Sequence, residues 1–393
     1  MDTFAQSDTP GPRVALRTIA FEWGRIGCIG FGGPPAHIVL LRALCVKRNR
    51  WLTESEFEDG IAATNLLPGP ASTQLAIFCA WRLRGRAGAL VGGLCFIVPG
   101  LVLILGLSAL FLASDAPLWV KGAAAGAGSA VAAVAAHAAF SLVPASRERA
   151  GTGRGARARW AGYLLLGGIG AATIGPWLVL ALIGCGVAEA VIRTRPRITG
   201  SAAGAPILAF PALTLGTLAA VAWVGLKVGA LSYGGGFVII PLMQHDAVHT
   251  YHWMTAPQFL DAVALGQITP GPVVQTVAVV GYAAAGIWGA LLAAAVAFAP
   301  SFAFILLGGR HFDRLRHDER VQAFLSGAGP AAIGAIAGAA IPLGLALTHL
   351  WQVGVLATAA LWLLAAGRSV VTALLGAAAL GVIAALAGAP VGG

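Results

Sequence analysis

Two stretches of this chain are near copies: WLTESEFEDGIAATNLLPGP at residues 51–70 and WMTAPQFLDAVALGQITPGP at residues 253–272. At an offset of 202 residues, Trp51, Thr53, Phe57 and Asp59 fall on Trp253, Thr255, Phe259 and Asp261, and Pro68-Gly69-Pro70 falls on Pro270-Gly271-Pro272. The match extends outward to Gly27 on Gly229 and to Phe31-Gly32-Gly33 on Tyr233-Gly234-Gly235. Beyond the Pro-Gly-Pro, after a slip of one residue, Gly85, Gly88 and Pro99 meet Gly286, Gly289 and Pro300. Chance does not repeat such a pattern at one offset, so the chain is an internal duplication.

Composition places both copies in a bilayer. Of 393 residues, 58% are hydrophobic and only 10% charged, and mean hydropathy is +0.84. A soluble domain carries roughly a quarter charged residues. The runs 87–112, 122–143, 287–308 and 323–347 are apolar enough to cross a hydrocarbon core, which needs roughly 20 helical residues. Their interruptions are small residues rather than polar clusters, which excludes a barrel. The fold class expected is therefore an all-α polytopic membrane protein.

The net charge of +10 collects in short segments, at Arg147 to Arg159, Arg193 to Arg197 and Arg310 to Arg320. Beside membrane spans this reads as the bias of cytoplasmic loops rather than as a nucleic-acid surface. Cys28, Cys45, Cys79, Cys95 and Cys185 form no CxxC pair and no metal-ligand spacing, so neither a disulfide framework nor a metal site is expected. Residues 1–13 are polar, lack a signal-peptide layout and read as a short cytosolic tail. The halves are placed at 1–200, with a basic cytoplasmic linker at 146–160, and at 201–393. Arg42, Lys47, Arg48 and Arg50 face a partner segment, 244–252, without Lys or Arg, and Arg82, Arg84 and Arg86 face the charge-free 284–286. One copy of each loop therefore belongs inside and the other outside, which predicts halves inserted in opposite senses.

Four breaks interrupt the helical pattern: Gly32-Gly33-Pro34-Pro35, Gly234-Gly235-Gly236, Pro68-Gly69-Pro70 and Pro270-Gly271-Pro272. Proline removes a helical donor and clashes with the preceding turn. In lipid such breaks survive only against protein or a water-filled cavity, and breaks matched across a repeat point to a transport site. A helix that restarts after the turn leaves its first N–H groups open, which suits an oxyanion. The neutral groups expected to help are Asn65, Ser72 and Thr73 in the first half and Gln267, Thr269, Gln275 and Thr276 in the second. Arg25 and Lys227 hold equivalent positions and would suit a dianion; Glu22 gives Arg25 a competing local partner. Asp59 and Asp261 are equivalent acids, either structural partners or carriers of a coupling proton. His37 faces Ile239 in the repeat and reads as a lone polar group.

Taken together, Phe31-Gly32-Gly33-Pro34, Trp51-Leu52, Asn65-Leu66-Leu67-Pro68-Gly69-Pro70 and Gly266-Gln267-Ile268-Thr269-Pro270-Gly271-Pro272 resemble the chromate ion transporter family in its two-domain form. Phe96-Ile97-Val98-Pro99 and Phe298-Ala299-Pro300-Ser301-Phe302 share the resemblance. It implies a multi-pass protein of the cytoplasmic (inner) membrane that exports chromate, driven by the membrane potential or an ion gradient, without a cofactor. Sulfate, or another tetrahedral oxyanion, is the alternative cargo. A membrane redox enzyme is disfavoured, because no paired cysteines, clustered histidines or dinucleotide fingerprint appear, and no phosphate loop marks a primary pump. Each chain carries both sets of breaks, so a monomer or a homodimer would serve.

Overall fold

The computed structural model describes residues 14–67, 69–113, 115–173, 178–194, 216–232, 238–308 and 318–391, the side chains of Asn65 and Leu66 excepted. Helix α1 (Leu16–Ile29) stops at Gly30, and Pro34 and Pro35 open α2 (Pro34–Arg42), where a missing N–H costs nothing. A π-helical turn, Ala43–Arg48, prolongs α2. Thr53 then caps α3 (Glu54–Leu66) through a capping box with Glu56, and Thr255 caps α11 (Ala256–Ile268) through the same box with Gln258. These caps explain why Trp-x-Thr recurs in both copies: it sets the start of the same helix. Both helices end where proline forces the preceding residue into extended backbone, Leu67 at ψ 143° and Thr269 at ψ 140°.

The next helices are α4 (Ala71–Phe111) and α12 (Thr276–Gly308), the latter entered through a 3-10 turn at Val273–Gln275. Neither is straight. Arg84 and Gly85 leave helical geometry, with Gly85 at φ 60°, ψ −147°, and Ala285 and Gly286 repeat the departure at φ 60°, ψ −151° for the glycine. Only glycine adopts that conformation readily. The chain doubles back there. A Cβ on Gly88 would collide with the Ala80 carbonyl, and one on Gly281 would stand 2.5 Å from the Gly289 carbonyl. Residues eight apart in a straight helix are about 12 Å apart.

Helix α3 and the first arm of α4 also lie side by side. Glu56, at the start of α3, pairs with Arg82, at the end of that arm, and Gly60 rests on the Phe78 ring. The segment is thus a re-entrant hairpin with Pro-Gly-Pro at its tip. Its 13-residue α3 arm rises about 20 Å. The matching α11 arm is also 13 residues long.

The remaining first-half helices are α5 (Leu118–Ser129), α6 (Val131–Ala150), α7 (Arg154–Thr173) and α8 (Leu178–Thr194). The second half adds α9 (Thr217–Leu231), α10 (Ile239–Gln244), α13 (Glu319–Leu345), α14 (Leu350–Ala360) and α15 (Val370–Leu386). The basic stretch at 146–160 is mostly helical, with only residues 151–153 between α6 and α7. One of its arginines shares an acid with α8: the buried Glu189 carboxylate accepts from Arg159 (2.7 Å), Arg193 (2.7 Å) and Tyr163 (3.1 Å).

The halves pack as symmetry mates. Helix α1 lies on α4 as α9 lies on α12. Gly27 meets the Phe96 carbonyl as Gly229 meets that of Ala297. Across the halves, Gly93 in α4 lies against the ring of Phe302 in α12, whose own repeat position in α4 is Leu101. Low numbers of one copy meet high numbers of the other, so the second arms of α4 and α12 run antiparallel, as inverted halves require. The halves also interlock: α5 packs on α15 and α6 on α14, while α13 packs on α7 and α8. Small residues allow this close approach; a Cβ on Gly338 would strike the Gly168 backbone. Four helical stretches are long and apolar enough to cross a membrane, Ala71–Phe111, Leu118–Ala150, Val273–Gly308 and Glu319–Leu345. Large apolar side chains such as Phe21, Phe140, Trp288 and Leu307 point outward, as lipid contact demands.

Candidate functional site

Each hairpin tip touches the opposite half. Gly69 N–H donates to the Ser232 carbonyl (2.9 Å), and Gly271 N–H donates to the Gly30 carbonyl (3.0 Å). Gly30 and Ser232 are the same repeat position, just before each aromatic-Gly-Gly, so the two bonds are symmetry copies. Both donors sit in the left-handed region, Gly69 at φ 124° and Gly271 at φ 102°, where a side chain is strained. Behind the tips, Gly100 lies against the Pro270 carbonyl and the Gln275 side chain, and its counterpart Ser301 lies beside Gly69. Helix α4 starts immediately after its tip. Thr73 and Gln74 N–H return to the Pro70 carbonyl (2.9 and 3.0 Å), which leaves Ala71 and Ser72 N–H with no partner among the described residues.

Around these turns the structure buries a set of neutral polar side chains: Ser72, Thr73, Gln267, Thr269, Gln275 and Thr276, with Ser232 and Ser301. Some are committed. Thr269 returns its hydroxyl to the Leu265 carbonyl, Thr276 to that of Val273 (2.9 Å), and Gln275 Nε2 reaches the Ile97 carbonyl (2.8 Å). Others are open: Thr73, Ser232 and Ser301 Oγ, Gln267 Nε2 and Gln275 Oε1 have no hydrogen-bond partner among the described residues. An orphaned buried polar group costs about 1–3 kcal/mol. Thr73, Ser232 and Ser301 stand beside the Gly69 tip, so that turn is suited to a polar guest. The open set is mainly donors of neutral type, which can take oxygen atoms without adding a fixed charge.

Other sequence-derived candidates fall elsewhere. Gly32 (φ 98°) and Gly33 (φ 72°) form the turn into Pro34, partly open to the surroundings. Arg25 is half-exposed and pairs with Glu22 (3.1 Å), which Arg48 also approaches (3.5 Å). Lys227 pairs with buried Asp246 and lies over the Trp223 ring. Neither cation is bonded to a tip residue among those described. Asp59 is exposed on α3. Asp261 lines a cavity of about 370 Å³ with Lys121, Ser129, Gln258 and His349, away from the tips. Pro68, Gly234, Gly235 and Gly236 lie outside the described residues, as does the Asn65 side chain.

The structure gives partners to His37, which the sequence reads as a lone polar group. It is fully buried, bonded through Nε2 to the Gly30 carbonyl (2.9 Å) and through Nδ1 to Ser72 Oγ (3.1 Å), and it meets the Phe96 ring edge-on. Ser232 and Ser301 are not among the sequence candidates, since each is a lone serine in an apolar run; that they stand at the repeat positions of Gly30 and Gly100 is the available signal.

Comparison with known proteins agrees with the duplication. The family model for chromate transporters matches residues 17–190 and again 219–382. The chromate transport protein of Cupriavidus metallidurans is 33% identical, over 87% of this chain and 86% of its own length. The chromate transport protein of Pseudomonas aeruginosa is 29% identical, over 87% of this chain and 84% of its own. A probable chromate transport protein of Synechococcus elongatus is 28% identical, over 89% and 91%. No solved structure matches the chain. With both halves matched by one model, this polytopic membrane protein belongs to the chromate transporter family.

Proposed function

We propose that this chain is a secondary transporter that exports chromate across the cytoplasmic membrane, driven by the membrane potential or an ion gradient. The observation that carries the reading is the pair of reciprocal Pro-Gly-Pro tips with uncommitted hydroxyl and amide donors buried around them. A dianion bound there is held by N–H and O–H donors and by the N-terminal end of α4. Inverted halves meeting at a mid-membrane site can rock to open it to either side. Moving one charge across 100 mV is worth about 2.3 kcal/mol, so a dianion leaving a negative cytoplasm gains up to twice that. Arg25 and Lys227, held by Glu22 and Asp246, draw anions toward the tips rather than contacting them at the centre. Both tips come from one chain, so a monomer or a homodimer can work. Sulfate has the same charge and a similar shape, and it is the second cargo the donor set accommodates.

The test is uptake of radiolabelled chromate into inside-out vesicles at a set potential, with sulfate as competitor. Potential-dependent chromate uptake that excess sulfate suppresses is the expected result. Uptake of sulfate but not chromate would move the cargo and keep the site. Uptake of neither by well-inserted protein would overturn the oxyanion reading.

A further inference from the structure

The geometry points to a proton site at His37 and Ser72 through which the carrier takes one proton together with each oxyanion dianion; this rests on the oxyanion reading of the tips. The tautomer of His37 follows from its neighbours. The Gly30 carbonyl can only accept, so Nε2 carries a hydrogen and donates to it. In the neutral ring Nδ1 is then an acceptor, and the Ser72 hydroxyl donates to it. The hydrogen of Ser72 is spent on the ring, and its oxygen offers a ligand only lone pairs. Those repel a dianion.

Protonation reverses the arrangement without moving a heavy atom. Nδ1 takes a proton from water and becomes a donor to Ser72 Oγ. The Ser72 hydroxyl stays intact, turns about its C–O bond and presents its hydrogen to the anion. It then acts beside the open N–H groups of Ala71 and Ser72 at the start of α4. Neutral His37 instead leaves an acceptor that suits an oxyanion already carrying its own proton. On either route the site fills with one dianion and one proton, so the load carries one net negative charge rather than two. His37 is fully buried in this conformer, so the proton and the anion both enter when the tips open.

Two further observations set this pair apart from an ordinary satisfied histidine. The first is the repeat. Ile239 stands at the position of His37, and valine stands at that of Ser72 on either side of the one-residue slip, Val273 or Val274. Both members are polar in one half and aliphatic in the other, as expected of two groups that act as one. The second is the anchor. The Gly30 carbonyl that holds His37 also accepts Gly271 N–H from the opposite tip (3.0 Å), so the ring shares an atom with the contact between halves. The ring is faced by the Gly30 carbonyl, Ser72 and Phe96. On the elements packed against it, Glu22 and Arg25 pair with each other, Arg42 with Glu54 and Glu58, and Arg82 with Glu56. No charged side chain among the described residues is bonded to the ring, so its titration belongs to the site.

Calorimetric titration of the purified full chain with sulfate, which stays a dianion across the neutral range, tests this. Buffers of different protonation heat count the protons taken up. Wild type is expected to absorb about one proton per sulfate at the alkaline end, with affinity falling about tenfold per pH unit. His37→Gln keeps a donor for Gly30 but cannot charge; it is expected to bind with a flat pH profile and no proton uptake. Ser72→Ala leaves the ring titratable but removes the hydroxyl, and it too is expected to lose the slope. If His37→Gln fails to elute as folded protein, Ser72→Ala carries the test. Should only chromate bind, the same variants are compared with it at each pH, because protonation of the ligand is then common to all. Flat wild-type binding without proton uptake, or a wild-type slope retained in both variants, would overturn the proton site and leave the oxyanion reading standing. No binding of either anion by folded wild type would remove both.

Discussion

Lys227 shows how a residue can be right in kind and different in partner. No acid lies within four positions of it, yet α9 carries it against Asp246 on the π-turn after α10. Removing one member of a buried ion pair leaves the other uncompensated and costs about 3–5 kcal/mol. Lys227→Ala is therefore expected to lower membrane yield and thermal stability, and Lys227→Ala with Asp246→Asn to restore both. If Lys227 guides anions, the double variant stays slow in vesicle uptake although it is well folded. Wild-type uptake by the double variant would make the pair purely structural. Gly271 makes the companion case at a tip. Its φ of 102°, which presents its N–H to Gly30, depends on the missing Cβ, so Gly271→Ala is expected to lower stability by about 1–3 kcal/mol and to slow uptake further than stability alone explains.

At the scale of elements, the re-entrant hairpins depend on two kinds of punctuation. The Pro-Gly-Pro tips were legible, because proline and glycine break helices wherever they stand. The second reversal, at Arg84-Gly85 and Ala285-Gly286, falls in segments the sequence already marked as loops, one carrying Arg82, Arg84 and Arg86 and the other without charge, just ahead of the apolar runs at 87–112 and 287–308. What the sequence left open is that the chain folds back there as one tight turn between packed arms. The space around Gly85 and Gly286 is empty, so alanine there meets no neighbour. Any loss comes from backbone conformation alone, about 1–3 kcal/mol. Gly286→Ala is expected to lower the melting temperature in detergent while leaving sulfate affinity within about twofold; an equal melting temperature would mean the turn tolerates a side chain.

For the whole molecule, inversion puts repeat-equivalent loops on opposite faces of the membrane. With native cysteines replaced, Arg84→Cys is expected to react with an impermeant maleimide from the cytoplasmic side only, and Ala285→Cys from the outer side only. Labelling of both from one side would make the halves parallel and contradict the antiparallel packing of α4 and α12. The interlocking of α5 with α15 and of α13 with α7 further means that neither half buries its own helices alone. Each half expressed separately is expected to be unstable and to recover when the two are produced together.

The sequence by itself determined the membrane class, the duplication and the positions of the helix breaks, and its loop charges predict opposed insertion of the halves. Hydropathy, loop charge and the φ restrictions of proline and glycine act locally and survive in one dimension. It also supplied the neutral polar residues after Pro-Gly-Pro, since helix starts expose donors whatever surrounds them. Only the tertiary structure decided which half each tip touches, that His37 and Ser72 share a bond, and that Lys227 is held by Asp246. Those pairings join residues 19 to 241 positions apart across crossing helices. Contact at such range is set by how the helices stack, and nothing in the local chain encodes it.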